Sequence, residues 1–153
     1  TLGLHDARPI VAKNELGNGE VYQRPDAKVD LSRGDGESCV VAGRTDHITP
    51  WDACYKSVNL LGGPSQFVLV NSGHIQTLVC PPGKGKASYQ TATELPEDPH
   101  EWLAGSKATT GSWWELWIKW ASERHGPKKP APKSPGSEKY PSIGAAPGDY
   151  VRA

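Results

Sequence analysis

Two short apolar runs, SCVVAG at 38–43 and SQFVLV at 65–70, flank a single stretch of helical periodicity, and this arrangement restricts the fold more than any other part of the sequence. Both runs are rich in β-branched residues and end at a turn signal, Gly43 in the first and Asn71-Ser72-Gly73 in the second. Between them Trp51, Cys54 or Tyr55, Val58 and Leu61 recur at helical spacing, so one helix face is apolar. Thr49 is placed as N-cap, with Pro50 at the first helical position and Asp52 returning the capping bond, and Gly62-Gly63 is a natural stop. The segment therefore predicts strand, helix, strand. Strands joined by one helix run parallel through a right-handed crossover, which sends both following loops to the same edge of the sheet. Asp46 and His74 would then lie beyond the carboxyl ends of neighbouring strands.

That edge is where an open α/β sheet gathers functional groups, because helices cover the faces and leave the edge accessible. A carboxylate that accepts the Nδ1 proton of an imidazole fixes its tautomer, stabilises the imidazolium and leaves Nε2 free as a base. Asp46 and His74 are the candidate pair. His47, beside Asp46, reads as a structural hydrogen-bonding residue. Asp46, His47, Cys54 and His74 match no common metal-ligand spacing, and Cys54 falls on the apolar helix face, so neither a metal nor a cofactor is expected. A nucleophile is not in view. Gly36-Glu37-Ser38-Cys39-Val40 and Gly63-Pro64-Ser65-Gln66-Phe67 lack the closing glycine of a G-x-[S/C]-x-G elbow. If a triad exists, its nucleophile is expected before Thr1.

The rest of the chain is less constrained. A short helix is expected up to Leu16, stopped by Gly17, and a turn-rich stretch follows LVCPPGKGKASY. In GSWWELWIKWASERHG, Ser112 caps a helix and Glu115 completes the box; Trp113, Leu116, Trp117 and Trp120 form one apolar face, and Gly126-Pro127 ends it. Five of the six tryptophans lie between Trp102 and Trp120, and an aromatic stripe at this spacing reads as core. The Pro- and Lys-rich remainder predicts a solvated, extended tail whose end docks through Tyr150 and Val151.

Seventeen basic residues balance seventeen acidic ones, so no long-range field favours nucleic acid or an anionic membrane. Three cysteines, an odd number without a disulfide framework, suit thiols in a reducing cytosol. No apolar run reaches the length of a membrane span and the first residues lack the build of a signal peptide, so a cytoplasmic protein is expected. The absence of methionine, even at position 1, suggests numbering that begins inside a longer protein.

Seven phrases carry a family resemblance: VDLS at 29–32, VVAGRTDHITPWDACYKS at 40–57, LLGGPSQFVLVNSGHIQ at 60–76, PPGKGKASY at 81–89, WLAG at 102–105, GSWWELWIKW at 111–120 and APGDYV at 146–151. From about Val29 to its end the chain resembles the carboxyl-terminal part of bacterial polyhydroxyalkanoate synthases, and DHITPW, SGHI and GSWW in this order are its most specific motifs. The resemblance implies an α/β class: the carboxyl-terminal portion of an α/β-hydrolase fold, with a partial parallel sheet, flanking helices and an extended Pro-rich tail. Residues 1–28 match poorly, 29–126 would belong to the catalytic domain, and 127–153 would form the tail.

The implied activity is an acyltransferase that polymerises (R)-3-hydroxyacyl-CoA into polyester and releases CoA. The family's Cys-His-Asp triad would place its aspartate on Asp46 and its histidine on His74, with the cysteine upstream. Lys84 and Lys86 in PPGKGK are a candidate contact for CoA, although no Walker pattern surrounds them. The implied partners are the acyl-CoA, the polyester granule and, in the intact enzyme, a second identical subunit; nucleic acid is not among them. The chain departs from the family at GDGESC, 34–39, where an apolar strand entry with a proline is usual, and at Cys80, which replaces an asparagine. Two other readings remain open at this point: a related esterase or depolymerase sharing the same two loops, and a non-catalytic fragment with a packing or association role.

Overall fold

The computed structural model describes residues 22–23, 28–83 and 86–152. The helix expected up to Leu16, and Lys84, lie outside them. The chain divides into two compact units, Thr1–Glu123 and Arg124–Ala153. In the first unit, the earliest elements among its described residues are a two-residue antiparallel pair, β1 (Tyr22–Gln23) and β2 (Lys28–Val29). Its main sheet has four strands in the order β3 (Ser38–Gly43), β4 (Ser65–Val70), β5 (Ser88–Thr91) and β6 (Lys107–Thr110). The second unit, taken by itself, is built of turns, with an isolated antiparallel bridge between Gly136 and Pro141 and a final 3-10 turn, Tyr150–Arg152.

The strand, helix, strand expectation holds. Between β3 and β4 lies α1 (Trp51–Leu60), and the two strands pair in parallel, from Ser38 opposite Ser65 to Gly43 opposite Val70. The entry GDGESC does not shorten β3: the hydroxyls of Ser38 and Ser65 meet at 2.8 Å across the first register position. β3 is an edge strand among the described residues, so only Ala42 and Gly43 of it are buried. Gly62 follows α1 because a Cβ there would come within 1.8 Å of the Ser32 carbonyl oxygen; close approach of two loops, as much as the helix stop, requires the glycine.

Two expectations need correction. The sheet is mixed, not parallel throughout, since β4 pairs antiparallel with β5 and β5 antiparallel with β6. A parallel neighbour needs a crossover long enough to return to the far edge of the sheet. Here the connection contains only α2 (His74–Leu78), five residues long, and the Asn71 N–H already donates to the Ser88 carbonyl at 2.9 Å, so the chain turns back on the same edge. Secondly, the turn-rich stretch holds a helix, α3 (Pro99–Gly105). Asp98 caps it by accepting from the His100 N–H, and Pro99 occupies its first turn.

That short helix supplies the largest buried side chain, Trp102. Its ring meets Phe67 of β4 edge-to-face at 4.9 Å, Phe67 meets Tyr55 of α1 edge-to-face at 5.0 Å, and Ala42, Val58 and Leu69 complete the cluster. Tyr55 donates its hydroxyl to the Pro96 carbonyl at 2.6 Å, tying α1 to the segment that leads into α3. Alternation along β4 sends Phe67 and Leu69 into this cluster, while Val68 and Val70, also buried, face the other side. β4 is therefore covered on both faces.

The tryptophan-rich helix α4 (Trp113–Ser122) begins as expected, with the Ser112 hydroxyl accepting from the Trp114 N–H. It is not core. None of its residues is buried, and Trp117 and Ile118 stand half exposed. Its first two indoles do something periodicity does not show: Trp113 Nε1 donates to the Thr77 carbonyl at 2.6 Å and Trp114 Nε1 to the Leu78 carbonyl at 3.0 Å. They satisfy carbonyls at the carboxyl end of α2 that a helix leaves free.

Candidate active site

The two loops beyond β3 and β4 stay side by side because pairing continues past the strands. The Arg44 N–H donates to the Val70 carbonyl at 2.8 Å and the Thr45 N–H to the Ser72 carbonyl at 3.2 Å. Gly43 makes this approach possible, since a Cβ there would come within 2.4 Å of Thr77 Oγ1 and 2.8 Å of the Ser72 carbonyl oxygen. Thr77, the buried residue of α2, donates its hydroxyl to the Gly73 carbonyl at 2.8 Å and sits 3.0 Å from Ser72 Oγ, which holds the start of the short helix over the strand end.

His74 is the first residue of that helix, and its Nδ1 lies 2.7 Å from Asp46 Oδ2. The carboxylate is nearly saturated. Oδ1 accepts the N–H groups of Ile48 at 2.9 Å and Thr49 at 3.0 Å, and Oδ2 also accepts the Thr49 hydroxyl at 2.8 Å. The Asp46 side chain is 5% exposed and that of His74 41%. Burial by itself would raise the carboxyl's pKa, but the bonds from the Thr49 N–H, His74, the Ile48 N–H and the Thr49 hydroxyl outweigh it and hold Asp46 well below the usual carboxylate range. A buried anion thus faces an accessible imidazole. With Nδ1 engaged, the lone pair available for chemistry is on Nε2, which makes no hydrogen bond among the described residues.

No family model matches the chain. Poly(3-hydroxyalkanoate) polymerase 2 of Ectopseudomonas oleovorans is 52% identical over 124 residues, which cover 80% of this chain and 22% of the polymerase. Polymerase 1 of the same organism is 42% identical over 143 residues, 90% of this chain and 26% of the relative. The poly(3-hydroxyalkanoate) polymerase subunit PhaC of Cupriavidus necator is 44% identical over 125 residues, 82% of this chain and 21% of that subunit. The chain belongs to the polyhydroxyalkanoate synthase family. It spans about a fifth to a quarter of the length of the curated relatives it matches.

In this synthase segment the three cysteines, Cys39, Cys54 and Cys80, are all partly buried. Cys54, on α1, is the one that lies between Asp46 and His74 in sequence, and its thiol is turned to the Thr49 carbonyl at 3.8 Å. Burial first, and then the negative charge of Asp46, push that thiol upward, the opposite of what a nucleophile needs. Among the described residues no serine or cysteine hydrogen-bonds His74. His47, expected to be a structural hydrogen-bonding residue, is instead exposed and bonds to none of the described residues; the backbone donors that organise this turn belong to the next two positions. No group of three or more His, Cys, Asp or Glu is placed to hold a metal among the described residues. Lys86 is exposed.

The structure adds Thr49 to the site and removes it from the helix cap. α1 has no side-chain cap: the residue before it is Pro50, and among the described residues the Asp52 carboxylate accepts only from the Ala53 N–H, at 2.9 Å. A capping hydroxyl accepts from a backbone N–H of its helix; the Thr49 hydroxyl is turned upstream instead and donates to the charged Asp46 carboxylate, a stronger bond. An aspartate whose carboxylate reaches the N–H groups two and three residues on is the signal that could have shown it. A cleft lined by Ser65, Gln66, Leu95, Trp102 and Lys107 opens at the other edge of the sheet, where β4 begins; neither Asp46 nor His74 lines it.

Proposed function

We propose that this chain is part of the α/β-hydrolase catalytic domain of an acyltransferase, where it supplies the acid and base of a Cys-His-Asp triad that joins (R)-3-hydroxyacyl-CoA units into polyester. The observation that carries this reading is the 2.7 Å bond between Asp46 and His74 at the carboxyl ends of two parallel strands. The cysteine comes from a part of the polymerase that this chain does not contain. His74 Nε2 takes its thiol proton, and the thiolate attacks the thioester carbonyl of the acyl-CoA. The C–S bond to CoA breaks, and the departing CoA thiolate takes the proton back from the imidazolium. In the elongation step His74 removes the proton of a 3-hydroxyl, whose oxygen attacks the enzyme-bound thioester and forms the ester while the cysteine thiolate leaves. Asp46 remains an anion throughout, orienting the ring and stabilising the imidazolium.

Residues 29–126 form the catalytic segment in this reading and 127–153 a solvated tail. The product is an apolar polymer, so in this reading the enzyme works at the surface of its granule, in the cytoplasm and with a second identical subunit. In the intact polymerase His74→Ala and Asp46→Ala should each lower CoA release from (R)-3-hydroxybutyryl-CoA by about a thousandfold or more, the loss typical of triad members. Unchanged release by either variant overturns the assignment.

A further inference from the structure

Thr49 grips both oxygens of Asp46. Its N–H donates to Oδ1 at 3.0 Å and its hydroxyl to Oδ2 at 2.8 Å, the same oxygen that faces His74 Nδ1 at 2.7 Å. We infer that Thr49 is the positioning residue of the acid, fixing the plane of the Asp46 carboxylate so that Oδ2 stays aimed at the imidazole. The inference rests on the acid-base reading above and deepens it.

The physical case begins with the freedom of a carboxylate. Its terminal torsion is broad and two-fold, so a single point of attachment does not decide which oxygen is presented or at what angle. Two backbone N–H groups on Oδ1 fix where that oxygen lies and leave Oδ2 to swing about it. The hydroxyl closes the chelate. Thr49 is itself anchored, because it leads through Pro50 into α1, whose Tyr55 and Val58 are buried in the core. Rigidity thus passes from the core through α1 to Thr49, then to the carboxylate and to the imidazole. Held at 2.7 Å with its ring orientation set, His74 presents Nε2 in one direction only. Both of its bonds to the site go to the Asp46 carboxylate, so Thr49 acts through Asp46. The fold bears the mark of this use: the hydroxyl is turned to Asp46, and α1 is left without a side-chain cap.

The test compares hydroxyl with shape in the intact polymerase. Thr49→Val keeps the branched side chain and the backbone N–H but deletes the hydroxyl; kcat for CoA release, normalised to active sites, should fall about tenfold with KM for the acyl-CoA unchanged, the low end of what a hydrogen bond to a charged group supports. Thr49→Ser should restore kcat to within about twofold, because it returns the hydroxyl without the methyl. In an Asp46→Ala background, Thr49→Val should cost nothing further, since the group it positions has gone. Should Thr49→Val fail to fold, as judged by its circular dichroism melt, Thr49→Ala carries the same comparison. Wild-type kcat in Thr49→Val, no rescue by serine, or an equal tenfold loss with and without the Asp46 carboxylate would each overturn the inference. If Asp46→Ala itself has full activity, the acid-base reading fails; if Asp46→Ala is inactive and Thr49→Val is not impaired, only the role of Thr49 fails.

Discussion

A carboxylate that is 5% exposed and still charged is paid for by four donors, and Asp46 has them in a turn of only four residues plus one histidine. The consequence for stability follows from the direction of its pKa. Because the folded carboxyl is held below the ordinary value of about 4, the folded state favours the anion. Its contribution is complete above that ordinary value and is lost as pH falls through the lower, folded one. The urea midpoint of the parent should therefore exceed that of Asp46→Asn by a constant amount from pH 7 to pH 5, with the gap closing below about pH 4. A gap that widens on acidification would show that the four bonds do not hold the charge. Gly43 belongs at this scale too. It is glycine for want of room, because any side chain would strike Thr77 and part the two loops that carry Asp46 and His74.

At the scale of elements, the supports of the pair are themselves small and are held by others. α2 has five residues, too few to be stable alone, and persists because Thr77 is bonded to Gly73 beneath it and two indoles cap its last carbonyls. α1 lacks a side-chain cap, whose absence costs about 1 kcal/mol, and is fixed instead by packing. Tyr55 is the centre of that packing; burial, then the charges of Glu101 and Asp98, raise its hydroxyl and keep it the protonated donor that Pro96 needs. Trp102 joins α3 to this cluster, and Trp102→Ala should lower unfolding free energy by about 3–5 kcal/mol in a denaturant titration. Trp102→Phe should cost less than Trp102→Ala, since it keeps a ring and removes an indole N–H that has no acceptor among the described residues. Equal losses for the two variants would mean that α3 is not docked through this ring.

At the scale of the molecule, the described residues of the first unit bring the proposed acid and base together, with no serine or cysteine among them bonded to His74. None of its described helices is long and apolar enough to cross a membrane. Ile75, Leu78 and Val79 on and beside α2, with Trp117 and Ile118 on α4, leave large apolar side chains half exposed or more, an amount that single scattered residues do not explain. The chain alone should release no CoA from (R)-3-hydroxybutyryl-CoA, because the proposed base, His74, has no thiol bonded to it among the described residues. Release by the isolated chain that survives Cys54→Ala and vanishes with His74→Ala would demand a nucleophile of another kind.

Much of this was legible in the sequence. β3, α1 and β4 follow from local signals, β-branched runs, helical spacing and glycine stops, all of which act within a few residues of one another. Parallel pairing follows from the crossover alone, and with it the meeting of Asp46 and His74 at one edge. What the sequence could not settle depends on which groups compete for the same partner in space. The Thr49 hydroxyl could accept from the first N–H groups of α1 or donate to the Asp46 carboxylate, and only the folded turn shows that it is turned to the carboxylate. The seven residues of α3 are too few for periodicity to register, although its cap and proline were present. The tryptophans of α4 read as core because spacing reports one apolar face and says nothing of what covers it. Local free-energy preferences written in the sequence determined which segments become strands and helices; the tertiary structure decided which side chain satisfies which, since that choice depends on distance and burial that no neighbour in the chain supplies.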